Sequence, residues 1–413
     1  MPSPLPIPGK EAFEEQRRTF SLELVRALPQ GVVETSVSTF ALFVAIRIFD
    51  MPPWMKAVIV GSGSMGLLLS LFTVQIVRRL GCSVNAMAGA IWLISAAGFG
   101  VAASSENHAG CYFGGICSAG MALALAAPLM SQIYRKHYPD TLRGRLFSFS
   151  ALVRAAVAGL MGWAAGLWIS ARGGAFSPLF WTYALCCLAM AGCVFGMAPV
   201  VLRRSVKLEW FDAFRHVAND RPFRKLLIVW MILGLGNLLG WALFVEFISN
   251  PRYGFDFDAQ RVGMITSTVP MLVFIVCVIP WGMVFDRLPF YRVRALVNLF
   301  FLAGILCYYS SGSLLGLCVG IGLHGIARSG GNVLWSLWVT KFAEGDRVVE
   351  YMSVHSFLTG LRGVLAPLIA FTAAEYLGPL WVAWASTILI VVSTLMILPE
   401  IRAEGREKQA AVS

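Results

Sequence analysis

Twelve apolar runs of about twenty residues or more constrain the fold of this chain more tightly than any other feature. They lie at 29–49, 55–77, 84–104, 109–134, 146–170, 178–200, 226–249, 261–285, 293–312, 314–340, 348–374 and 379–399. An α-helix rises 1.5 Å per residue, so each run matches the roughly 30 Å hydrocarbon core of a bilayer. A transmembrane barrel would instead show ten-residue segments of alternating polarity. Charged residues make up only 13% of the chain and hydrophobic ones 58%, with a mean hydropathy of +0.72. Soluble domains carry roughly 25% charged residues. The expected class is an all-α polytopic membrane protein.

The one long polar gap, 201–225, carries Arg203, Arg204, Lys207, Arg215, Arg221, Arg224 and Lys225 and divides the spans six and six. The expected organisation has a leader over 1–28, a six-helix bundle over 29–200, a basic linker over 201–225, a second bundle over 226–400 and a tail over 401–413. The leader is amphipathic and is expected to form a short helix lying on the membrane. If the termini share a side, that side holds 25 of the 33 Lys and Arg, and the other side holds Lys56, Arg172, Arg252 and Arg261. Basic residues stay cytoplasmic in short loops. Both termini and the linker are therefore expected in the cytoplasm, with the chain in the cell (inner) membrane. The net charge of +11 then calls for no nucleic-acid partner.

The nine cysteines sit in or beside apolar runs without disulfide or metal spacing and read as packing residues. No cleavable signal peptide is visible. Gly61-Ser-Gly-Ser-Met-Gly66 matches a dinucleotide fingerprint, but it lies within an apolar span with no strand before it. Close helix packing is the better reading, as at Gly159, Gly162 and Gly166. There is no Ser-His-Asp set, metal cluster or P-loop, so neither an enzyme, an ATP-driven pump nor a cofactor is expected.

The two halves carry traces of one loop. Val74 to Gly81 ends in Val77-Arg78-Arg79-Leu80-Gly81, and Gly282 to Pro289 includes Asp286-Arg287-Leu288, with Arg79 and Arg287 208 residues apart. Twelve spans arranged six and six, a basic linker and this loop resemble the major facilitator superfamily, whose loop signature is Gly-x-x-x-Asp-Arg-x-Gly followed by basic residues. The second copy keeps Gly282, Asp286 and Arg287, with Pro289 for the later glycine and basic residues at Arg292 and Arg294. The first copy has Arg78 for the aspartate and Val74 for the first glycine. The resemblance implies two pseudo-symmetric bundles, a central site, and a loop that latches the cytoplasmic side of the outward-facing state. It also implies that spans 3, 6, 9 and 12 lie outermost while the others line or flank the cavity.

Charges embedded in the spans agree with that arrangement. Boundary residues apart, the embedded charges, Glu34 and Arg47 (span 1), Arg154 (span 5), Glu246 (span 7), Arg328 (span 10) and Arg362 (span 11), all avoid the outer spans. Charge within a bilayer is expensive and faces a protected interior. Arg328 lies 13 residues from Lys341 and Arg362 14 from Val348, so both should sit about 20 Å from the cytoplasmic boundary. His324, Arg328, Asn332 and Trp335 share one helical face, His355, Thr359 and Arg362 a second, and Trp230, Gly234, Asn237 and Trp241 a third. Spans 10 and 11 offer no acid at that depth. Either an anionic substrate lies between the arginines, or each binds backbone and polar groups and orders its helix, or they serve a gate or sensor. The candidate substrate residues are Arg328, Arg362, His324, Asn332, Asn237, Trp241 and Thr359. Glu34 is expected to pair with Arg154 near the cytoplasmic end, with a structural, gating or proton-coupling role. Glu246 and His355 are further gate or coupling candidates, and Gly330-Gly331 is expected to loosen span 10.

These readings predict a monomeric secondary transporter, a symporter or antiporter, moving a small anionic solute with a proton or ion or by exchange. Proton-driven efflux of lipophilic compounds is the alternative, favoured by thirteen tryptophans. A transporter-like sensor or assembly protein without net flux is the third.

Overall fold

The computed structural model describes residues 10–139, 142–202, 210–337 and 347–403. Its spanning helices are α1 (Phe13–Arg47), α2 (Pro53–Leu80), α3 (Val84–Ala103), α4 (Ala109–His137), α5 (Arg143–Ala171), α6 (Ser177–Gly196), α7 (Arg221–Ser249), α8 (Ala259–Arg287), α9 (Phe290–Ser310), α10 (Leu314–Leu337), α11 (Arg347–Leu377) and α12 (Pro379–Met396). Among the described residues, eleven helices are long and apolar enough to cross a bilayer, and α2, bent by 47° between Ser70 and Phe72, brings the number to twelve. Leu272, Val276, Ile279 and Met283 form an outward apolar stripe on α8, each more than half exposed. Such a stripe suits a lipid-facing surface.

Packing repeats between the halves. In the first, α1 packs on α5 and α6, α2 on α4, and α3 on α4 and α6; in the second, α7 packs on α11 and α12, α8 on α10, and α9 on α10 and α12. Adding six to each helix number converts one set into the other. The halves meet along α2–α11 and α5–α8, seams that the same operation exchanges. Small residues make both seams close. A Cβ on Gly162 would lie 2.5 Å from the Cβ of Ser267, and one on Gly166 2.5 Å from the Ala259 carbonyl oxygen. Gly61 and Gly66 of the apparent dinucleotide fingerprint serve packing too, a Cβ on Gly66 falling 2.2 Å from the Met121 carbonyl oxygen.

Three expectations need correction. The helix containing α1 runs unbroken from Lys10 to Glu34, with Thr19, Glu23 and Arg26 buried, so residues 10–28 extend the first span rather than form a separate surface helix. Gly330 and Gly331 do not loosen α10, which is continuous there; Gly330 is the notch under the Trp281 indole. Within the linker, residues 210–219 form a helix (Trp210–Asn219), and Arg221, Arg224 and Lys225 begin α7. Arg203, Arg204, Lys207 and the charged turn at Lys341 lie outside the described residues.

The halves are joined at the end opposite the termini. Lys56 Nζ lies 2.6 Å from Glu246 Oε1, both buried, and Asn250 donates to the same oxygen at 2.8 Å. Arg47 pairs with Asp256, and Ser170 donates to Asp258 Oδ2 at 2.9 Å. α1 and α8 each contain a π turn, Ser36–Ala41 and Met264–Thr268, and these face each other through Thr39 Oγ1 and Ser267 Oγ at 2.9 Å. Such turns are common where a helix must bend at a functional site. Between described residues, no hydrogen bond or ion pair joins the halves on the terminal side of the bundle centre. Lys56→Met leaves the buried Glu246 carboxylate unpaired and should lower stability by about 3–5 kcal/mol, read as a large drop in thermal midpoint. The double replacement Lys56→Met with Glu246→Met should recover most of that loss.

Candidate functional site

Glu34 sits deeper than its position in the apolar run suggests. Because α1 begins well before residue 29, Glu34 lies 13 residues from the far end at Arg47, about 20 Å along the helix. Its carboxylate bridges the halves: Oε2 is 3.1 Å from Arg154 Nε on α5, and Oε1 is 3.8 Å from a terminal guanidinium nitrogen of Arg328 on α10. The Glu34–Arg154 pair expected near the cytoplasmic end is thus formed at the centre. The acid missing from spans 10 and 11 comes from span 1. All three side chains are partly open to the cavity between the halves, Arg328 most of all.

Across the cavity, Trp230 of α7 gathers two further arginines. Its carbonyl oxygen accepts a hydrogen bond from Arg362 of α11, and its indole face lies 4.1 Å from the guanidinium carbon of Arg294 on α9. Cation–π attraction is strongest for Trp and strengthens on desolvation. Gly234, one turn along α7, makes room for Arg362: a Cβ there would lie 2.1 Å from the guanidinium carbon. Arg362 is buried, and its Nε has no hydrogen-bond acceptor among the described residues.

These groups line one cavity of about 280 Å³, whose charged walls are Glu34, Arg154, Arg294, Arg328 and Arg362. Asn237, Asn332, Trp230 and Trp335 complete its polar and aromatic lining. Among the described residues, its walls therefore hold four guanidiniums and one carboxylate. A deeper pocket of about 60 Å³ adjoins it, lined by Trp241, His324, Glu34 and Arg328. His324 Nε2 is 3.1 Å from Asn237 Oδ1, with Phe244 and Phe301 against its ring.

The structure thus brings Arg328, Arg362, Asn237 and Asn332 to one cavity, and Trp241 and His324 to its deep end. Thr359 and His355 are not in its walls; His355 is buried between Trp230 and Trp335. Glu246 belongs to the far-end ion pair. Gly282, Asp286 and Arg287 end α8, and Arg78, Arg79 and Gly81 end α2, where Gly81 closes the helix at φ +67°. Asp286 and Arg287 are exposed and make no ion pair among the described residues. Arg294 is the residue that sequence reasoning misplaced, among loop charges. Its signal was faint: Arg294, Asn298 and Phe301 fall on one helical face, and that face is buried.

A model of the Major Facilitator Superfamily matches residues 232–412. Over 94% of its length the chain superposes on the nucleoside transporter NupG with TM-score 0.70, covering 98% of that chain at 13% identity. It superposes on the partially occluded inward-open xylose transporter XylE of E. coli with TM-score 0.66 (94% and 97% covered, 11% identity), and on the peptide transporter POT in complex with alafosfalin with TM-score 0.69 (94% of each, 12% identity). The second half of the chain is thus similar to the major facilitator superfamily, and the whole chain has the fold of these structures. Its eleven to twelve apolar helices are those of a multi-pass membrane protein. A stretch of 90 residues, 21% of the chain, is 31% identical to the potassium/proton antiporter CemA of Cycas taitungensis, and spans only 37% of that relative's length.

Gly234→Ala should push Arg362 from its notch and lower the thermal midpoint. Adding Arg362→Ala should remove that loss, giving a strongly non-additive double-mutant cycle, whereas additive effects would contradict the close packing.

Proposed function

We propose that this protein is a major facilitator transporter that moves a small anionic solute by alternating access, with a proton or ion or by exchange. The observation that carries the reading is the charge of the central cavity: Arg154, Arg294, Arg328 and Arg362 face a single carboxylate, Glu34. Like charges in a low-dielectric space repel, and guanidinium forks hold carboxylate, phosphate or sulfonate groups in bidentate fashion. A solute anion supplies the charge that the protein lacks. Proton-driven efflux of lipophilic compounds is less well supported, since for cationic ones it would call for excess carboxylate in the cavity, and the excess here has the opposite sign.

Glu34 supports coupling. It holds Arg154 of one half and Arg328 of the other, so an entering anion competes with it for Arg328. Protonating Glu34 frees both guanidiniums, which links uptake of a proton to binding of the anion. Inward and outward states then interchange when Lys56–Glu246 and Arg47–Asp256 part at one end and the α2 and α8 loops close the other. The Lys and Arg bias supports cytoplasmic termini in a cell membrane, and nothing in the mechanism requires more than one copy.

In proteoliposomes, Arg328→Gln and Arg362→Gln should each reduce accumulation of the transported anion at least a hundredfold while elution on size-exclusion chromatography stays normal. Undiminished transport in both variants would refute the anionic reading. Glu34→Gln should abolish accumulation driven by a pH gradient yet retain anion exchange. Binding without accumulation by the unaltered protein would instead identify a sensor.

A further inference from the structure

The first half contains a second cavity of about 330 Å³, which adjoins the central one across two shared walls, Glu34 and Arg154. Its other charged groups neutralise each other. Arg26 donates to both carboxylate oxygens of Glu23 at 2.6 and 2.8 Å, and Tyr134 Oη donates to Glu23 Oε1 at 2.8 Å while accepting from Arg26 at 3.1 Å. The Trp92 ring covers the Arg26 guanidinium at 5.1 Å. This closed set has no charge left over to recruit an ion. The remaining walls are mainly apolar, with Leu123, Met130, Phe147, Ala151 and Met190 among them. Gln30 offers an amide with no hydrogen-bond partner among the described residues. A cavity with an arginine-rich end and a neutral, mainly apolar end fits one kind of solute.

We propose that the substrate is an organic anion of two parts. Its anionic head sits against Arg328 and Arg362, and its uncharged, largely apolar body passes Glu34 and Arg154 into the first-half cavity. The proposal rests on the anionic reading of the central cavity and narrows it. Inorganic phosphate and acetate engage only the head site. An aryl-alkyl carboxylate fills both, and burying a phenyl-sized group adds at least about tenfold in affinity.

Isothermal titration of the purified full-length protein with phosphate, acetate, phenylbutanoate and the neutral phenylbutanamide tests this. Phenylbutanoate should bind at least about tenfold tighter than acetate, and phenylbutanamide should not compete. Ala151→Phe from α5, or Ser131→Phe from α4, should fill the first-half cavity and erase the preference for phenylbutanoate while acetate binding persists. Two such variants from different helices guard against one failing to fold. Equal affinity for acetate and phenylbutanoate, or a preference that survives both filling variants, overturns the two-part substrate while leaving the anionic reading intact. Failure of every anion to bind, with phenylbutanamide bound, overturns both.

Discussion

A guanidinium in a bilayer interior is costly, and among the described residues this chain places four guanidiniums and one carboxylate around its central cavity. Each intramembrane arginine costs about 2.5–3.5 kcal/mol on insertion scales. Three of the four come from the second half, Arg294, Arg328 and Arg362, and Trp230 draws two of them together through its ring face and its carbonyl. The first half answers with Glu34, already shared with Arg154. Glu34 links the halves through Arg328, and the remaining positive charge is what the proposed anionic guest would answer. In the proposed mechanism binding is joined to the conformational step, because the one carboxylate that the described residues give the walls touches both halves.

Motion about this centre depends on seams that can rock. The α2–α11 and α5–α8 contacts are built on glycine, alanine and serine, where backbones approach closely and little side-chain interlocking resists rotation. The far end is held by directional polar contacts instead: Lys56–Glu246, Arg47–Asp256 and the paired π turns of α1 and α8. Close-packed seams at mid-depth and breakable ion pairs at one end suit a molecule that tilts as two rigid bodies.

Much of this was legible in the sequence because apolar length and charge avoidance are strong signals. Twelve spans, two halves and the inward-facing arginines Arg328 and Arg362 follow from them. The depth of Glu34 does not. The first span opens with the polar turn of Glu11, Glu14, Glu15, Arg17 and Arg18, and its best window reaches a mean hydropathy of only 1.2 against 2.4 for α8. Hydropathy therefore starts the helix too late and leaves Glu34 near an end. Glu23 and Arg26 mislead in the same way, since they look like surface charges until their mutual pairing with Tyr134 is seen. Arg294 hides among loop cations because it stands at the edge of the apolar run 293–312, whereas α9 starts three residues earlier at Phe290 and carries it into the cavity. The Gly234 notch that admits Arg362 is a tertiary contact with no local pattern at all.

The central claim is that the arginine-rich cavity holds an anion. Its most direct test is an anomalous-diffraction map of the protein soaked with iodobenzoate. The account predicts carboxylate density within hydrogen-bonding reach of Arg328 or Arg362, with the iodine peak inside the bundle. Iodine peaks confined to the lipid-facing surface, with the cavity empty and both guanidiniums held by protein groups alone, would contradict it.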